Sequence, residues 1–173
     1  MFLLARQLFF DVTWNMPSNW SYLDAPMNLN FKKIYSMDEV KILNKGDKFA
    51  HTSVGSLCSF EGKQFVKDIT GSTSCEISFG TLSNGAAVPF FHSHKENEEN
   101  YIILSGSGKF QVNDEIFDIA EGSVIRVSTN CDRNLKCTSE TPMCYICIQA
   151  KEGSLNGYTM TDAEITERKS LFD

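Results

Sequence analysis

Between residues 73 and 150 the chain is cut into short apolar runs by turn-forming residues, and that punctuation limits the fold more than any other feature. Runs rich in β-branched and aromatic side chains fall at 73–82, 101–104, 109–112, 115–119, 123–127 and 143–150. Between them stand Ser83-Asn84-Gly85, Ser105-Gly106-Ser107-Gly108, Asn113-Asp114 and Glu121-Gly122. Runs this short suit strands, and long amphipathic stretches are missing. The spacing predicts an all-β sandwich or barrel. Asn113 and Asp114 both tolerate positive φ, so 112–116 reads as a hairpin with a two-residue turn.

Helix signals are sparse. Ser36 and Glu39 give 36–43 a capping-box start, which predicts a short helix ahead of the barrel. The same spacing recurs at Thr161 and Glu164, where a short strand fits equally well. Residues 1–35 read as an N-terminal extension or arm, 36–166 as a single β-barrel domain and 167–173 as a mobile tail.

At 173 residues and 42% apolar, the chain can bury a sizeable core. Its net charge is −6, with 22 acids against 16 scattered bases. A nucleic-acid partner is not expected, because no clustered basic surface is available to neutralise phosphates. Nor is a membrane partner, since no run approaches the roughly 18 apolar residues of a spanning helix. Residues 1–10 lack a basic start, Arg6 interrupts their apolar run and no small-x-small site follows, so they do not read as a secretion signal. A cytoplasmic location is the expectation. The six cysteines then read as free, mostly buried thiols, since a chain this long does not need disulfide staples. Cys144 and Cys147, three apart on a strand, face opposite sides and do not form a metal-binding knuckle.

Chemistry concentrates in one place. His92 and His94, two of only three histidines, stand two residues apart, with Glu99 five residues on and Gly106 seven beyond that. On a strand, positions i and i+2 project to the same face. A bend that returns Glu99 to that face brings two imidazoles and a carboxylate around one point, a donor set suited to a transition metal. His51, far from this stretch, is not expected to join it.

Residues 85–106 resemble the first sequence motif of the cupin superfamily, G-x(5)-H-x-H-x(3,4)-E-x(6)-G. Six residues separate Gly85 from His92, one more than the pattern, while His94-x(4)-Glu99-x(6)-Gly106 fits as written. Glu99, correctly placed relative to Gly106, takes the ligand role ahead of Glu98. The resemblance covers roughly residues 71–150. It implies a double-stranded β-helix, a jelly-roll barrel with a metal site in its mouth. The second motif, G-x(5)-P-x(4)-H-x(3)-N, departs from the pattern: Gly122 aligns, but Ser128, Arg133 and Cys137 replace the proline, the fourth metal ligand and the asparagine.

A guanidinium cannot ligate a metal. A unit charge about 5 Å from a dication, at an effective dielectric of about 20, is repelled by roughly 6–7 kcal/mol before compensation. Arg133 therefore turns away, pairs with an acid or an anionic ligand, or replaces the metal altogether; a surface salt bridge is the plainer alternative. If it turns away, His92, His94 and Glu99 form a three-donor set with open positions for Fe, Mn, Zn or Ni. Cys131 and Cys137, near the missing histidine, could substitute as ligands, although ordinary buried thiols are the plainer reading. Strand alternation places Phe90, Tyr101, Ile103 and Gln149 beside the pocket. Phe90, Ile103 and Gln149 are substrate-binding candidates together with Arg133, which the motif alignment puts there, while Glu99 as a base and Tyr101 as an acid are the catalytic candidates.

Three functions fit. One is a metal-dependent enzyme, an oxygenase or isomerase, acting on a small, anionic molecule. Another is a non-catalytic binding or sensing module using the same pocket. The third is a metal-free sugar isomerase or epimerase with His92 or His94 as base and Tyr101 as acid. A homodimer is expected, because open sheet edges need covering.

Overall fold

The computed structural model describes residues 40–159 and 162–172. Among these described residues, ten strands and one short helix follow in order: β1 (Lys41–Lys45), β2 (Ala50–Ser53), β3 (Gly62–Phe65), α1 (Lys67–Thr70), β4 (Glu76–Leu82), β5 (Asn97–Ser105), β6 (Ser107–Val112), β7 (Glu115–Ala120), β8 (Val124–Val127), β9 (Arg133–Cys137) and β10 (Met143–Lys151). A five-stranded sheet runs β3-β4-β10-β5-β8 and a three-stranded sheet runs β7-β6-β9, while β1 and β2 form a separate ribbon. All strand pairings are antiparallel.

The smaller sheet gains a fourth strip from residues 85–92. Bridges join Ala87 to Lys136 and His92 to Arg133. Backbone bonds from Val88 N to Leu135 O and from Arg133 N to His92 O lay this strip along β9. Gly85 takes a φ of 75° at the head of the strip, in the turn that follows β4. The β6–β7 hairpin closes as its sequence suggests, with Val112 opposite Glu115 and Asn113 at φ 50°.

Alternation decides which side chains enter the core. On β5, Glu99, Tyr101 and Ile103 are buried while their neighbours are less so. Tyr101 and Ile103 meet Tyr145, Cys147, Phe110, Val127 and Leu135 between the sheets. A second cluster, Val54, Phe60 and Val66 with Ile77 and Phe79, covers the outer face of the five-stranded sheet. Cys144 and Cys147 do point to opposite faces: Cys147 joins the inner core, and Cys144 meets Cys58 outside it.

Two expectations are corrected. The described part of 36–43 is strand from Lys41, not helix, because it pairs with β2; residues 36–39 lie outside the described residues, as does the arm at 1–35. The cysteines are not all free. Cys58 and Cys144 form a disulfide with their Cα atoms 5.8 Å apart, within the usual range, which ties the 54–61 loop to β10. Cys75, Cys131, Cys137 and Cys147 are free thiols. Past β10, exposed residues without strand or helix occupy most of 154–172.

Close backbone approach in the smaller sheet makes one residue irreplaceable. A Cβ added at Gly108 would run into the Lys136 carbonyl oxygen on β9. Gly108→Ala should cost about 1–3 kcal/mol of stability, read as a lower urea midpoint at unchanged slope. An unchanged midpoint would mean that the two strands separate easily.

Candidate metal centre

Four chain segments build the site. Glu99 comes from β5 and Arg133 from β9; His92 ends the strip opposite Arg133, and His94 lies on the bend that leads into β5. Asn130 N donates to His94 O at 2.8 Å and Arg133 N to His92 O at 3.1 Å, which holds the histidine segment against the 130–133 turn. The two imidazoles stand edge to face, centroids 5.5 Å apart.

Glu99 is the hub. Its side chain is 2% exposed. Arg133 Nε and Nη2 donate to Oε2 at 2.9 and 2.7 Å. The Tyr101 hydroxyl donates to the same oxygen at 2.5 Å. The other oxygen, Oε1, lies 3.2 Å from His94 Nε2. His92 Nε2 is 3.9 Å from Oε2, too far for a hydrogen bond. Three donors therefore saturate one carboxylate oxygen and leave the other turned toward His94.

The charges follow from this packing. Burial alone would raise the Glu99 carboxyl, but the His94 hydrogen bond, the Lys63 charge, the Tyr101 hydroxyl and Arg133 outweigh it and hold the group ionised, well below the usual carboxylate range. Burial and the Arg133 charge push His92 down to about 4, so the 3.9 Å approach to Glu99 is not an ion pair at neutral pH. A neutral imidazole is the form a metal requires. Tyr101 is raised well above its ordinary value by burial and by the neighbouring Cys147 and Glu99. Burial also lifts the Cys147 thiol to about 11.

The donor set fits a transition ion. One donor atom each from His92, His94 and Glu99 lies within 4.8 Å of the others, the one such group among the described residues. Two ligands each about 2.1 Å from an ion stand roughly 3.0–3.4 Å apart, so small adjustments would close the three around one. His92 Nδ1 is buried without a hydrogen-bond partner, leaving that ring with unused capacity.

The remaining candidates separate. Arg133 is 1% exposed, so it is no surface salt bridge. Its Nη1 donates to His92 O and Cys131 O, and with both bonds to Glu99 at most one of its five N–H groups is left for a ligand. Gln149 stands opposite Glu99 in the β5–β10 register and Phe90 packs edge-on to His92 at 5.6 Å. Ile103 lies deeper, in the core between the sheets. Cys137 is fully buried and bonds toward Ser139 and Thr141, away from the site. Sequence reading missed Lys63, whose charge acts on both Glu99 and His92, and Cys147, opposite Tyr101. The signal for Lys63 was thin, since 62–65 is a four-residue strand with no apolar alternation.

Removing the carboxylate leaves a buried guanidinium without its counter-charge. Glu99→Gln should therefore cost about 3–5 kcal/mol, while Glu99→Gln combined with Arg133→Met should recover part of that, the Nη1 bonds to His92 O and Cys131 O being lost with the arginine. Chemical denaturation of both variants checks this. Equal losses in the two would show that charge pairing is not what holds these side chains.

Residues 78–149 match the cupin domain family. A cupin protein from Bacteroides fragilis is 36% identical, with a TM-score of 0.64 over 70% of this chain and 99% of that one. A predicted oxalate decarboxylase from Thermotoga maritima is 24% identical, with a TM-score of 0.42 over 43% and 64% of the two chains. A cupin domain from Schizosaccharomyces pombe is 20% identical, with a TM-score of 0.44 over 47% and 58%. No curated protein matches the chain. Strand order, the histidine–glutamate stretch and a relative matched along nearly its whole length agree: the chain belongs to the cupin superfamily.

Proposed function

We propose that this cupin holds one divalent transition ion through His92, His94 and Glu99 and binds a small, anionic molecule beside it. The observation that carries the reading is the convergence of three donors within 4.8 Å, with the carboxylate ionised and His92 neutral. When bound, such an ion supplies Lewis acidity or a redox centre. The chain's own part is orientation. Arg133 and Tyr101 fix the Glu99 plane through Oε2, so Oε1 faces His94. The ion and Arg133 together outweigh the Glu99 charge, which leaves a net positive site and favours an anionic ligand.

Tyr101 bears on the choice among the three functions. Its hydroxyl is spent on Glu99 and its side chain is 1% exposed. To act as an acid toward a substrate it would have to leave that bond, which weighs against a metal-free isomerase. Glu99 and Tyr101 are bonded to each other, so neither stands ready to move a proton at a ligand. That supports the ion as the centre of any chemistry, and it equally supports a binding or sensing role.

Elemental analysis of full-length protein, purified without a metal-affinity tag, tests the reading. The expected result is about one ion per chain, lost in a His92→Ala/His94→Ala variant. Metal at a hundred times its Kd should also raise stability by about 2.7 kcal/mol in the wild type alone. No metal after incubation with Fe, Mn, Ni and Zn would overturn the proposal.

A further inference from the structure

We infer that Arg133 sets how tightly this site holds its metal: the guanidinium occupies the place from which a fourth donor would reach the ion, and it restricts Glu99 to one donor oxygen. This rests on the metal-binding reading above and adds a control to it.

Position 133 is aimed at the site by the backbone. Arg133 stands directly across an antiparallel bridge from His92, so the two side chains share a face. Counted along the side chain, Arg133 Nε lies at about the depth an imidazole Nε2 would reach from the same Cα. That Nε sits 2.9 Å from Glu99 Oε2, so the guanidinium lies directly against the carboxylate whose other oxygen faces His94. Only the chemistry of the side chain prevents ligation, since a guanidinium has no lone pair to give and never loses its proton in a protein.

Three consequences act in the same direction. A donor is missing. A fixed positive charge sits beside the ion's position. Arg133 and Tyr101 also saturate Glu99 Oε2, so the carboxylate cannot grip an ion through both oxygens without breaking those bonds. The site therefore holds metal less tightly than its donors alone would allow and keeps positions open for an exogenous ligand. Arg133 has a structural task as well, because its Nη1 bonds to His92 O and Cys131 O tie the 131–133 segment to the histidine strip. Lost stability on substitution belongs to that task; gained metal affinity belongs to the inferred one.

The test is Co2+ titrated into metal-free, full-length wild type, Arg133→His and Arg133→Gln, followed by calorimetry and visible absorption. Arg133→His, which removes the charge and supplies a donor, should lower Kd by roughly tenfold or more. Arg133→Gln removes the charge without supplying a nitrogen ligand and should fall between the two. The Co2+ absorption bands should change shape only in Arg133→His. If Arg133→His does not fold, as thermal melting would show, Arg133→Gln decides the matter alone: tighter binding supports the inference and unchanged binding overturns it. Folded variants that bind Co2+ no more tightly than a binding wild type overturn the inference and leave the metal reading standing. No binding in any of the three overturns both. Binding in Arg133→His with none in the wild type upholds the role of Arg133 and removes the metal from the native function.

Discussion

One carboxylate oxygen, Glu99 Oε2, receives two guanidinium N–H groups and a phenol O–H between the two sheets, and the placement of every other group in the site depends on it. Burying a charge is unfavourable unless it is paired and hydrogen-bonded. Glu99 and Arg133 meet that condition for each other, and Tyr101 supplies the third bond. Buried pairs of this kind add little net stability compared with a well-packed apolar core. What this one provides is direction: with Oε2 saturated, Oε1 faces the His94 imidazole.

The sheet registers bring that arrangement about. Glu99 sits in β5 between β10 and β8, with Gln149 and Val127 opposite it. Arg133 opens β9, paired with Val112 on one side and His92 on the other. The site thus spans the gap between the two sheets, and neither sheet could build it alone. Slipping the strip at 85–92 by one residue along β9 would turn His92 away from Glu99, since successive side chains on a strand alternate faces. Asn134, whose amide donates to Val88 O and Phe90 O, guards against such a slip.

Much of this was legible in the sequence. The short apolar runs between 73 and 150 foretold six strands with only their ends displaced, because alternation and turn residues are local signals. The pair His92 and His94 with Glu99 was legible for the same reason. Strand β9 was not. Its inward residues are Arg133, Leu135 and Cys137, and an arginine counted as polar hides the alternation. Strands β1 and β2 were missed because β1 is exposed throughout, β2 is at most half-buried, and neither carries much apolar pattern. At 36–43, Ser36 and Glu39 offered a helix start, yet pairing with β2 takes the described end of that stretch into a strand. The Cys58–Cys144 link joins residues 86 apart, and spacing alone cannot choose partners among six cysteines. Arg133 was legible as an anomaly. Which of its possible partners it takes depended on the fold.

Anomalous diffraction from a crystal of the full chain soaked in Mn2+ tests the central claim most directly. The account predicts one peak within bonding distance of the His92 and His94 rings and of Glu99 Oε1, with Arg133 and Tyr101 still on Oε2. A peak bridged by both Glu99 oxygens with Arg133 displaced, or no peak between the two histidines, would contradict it.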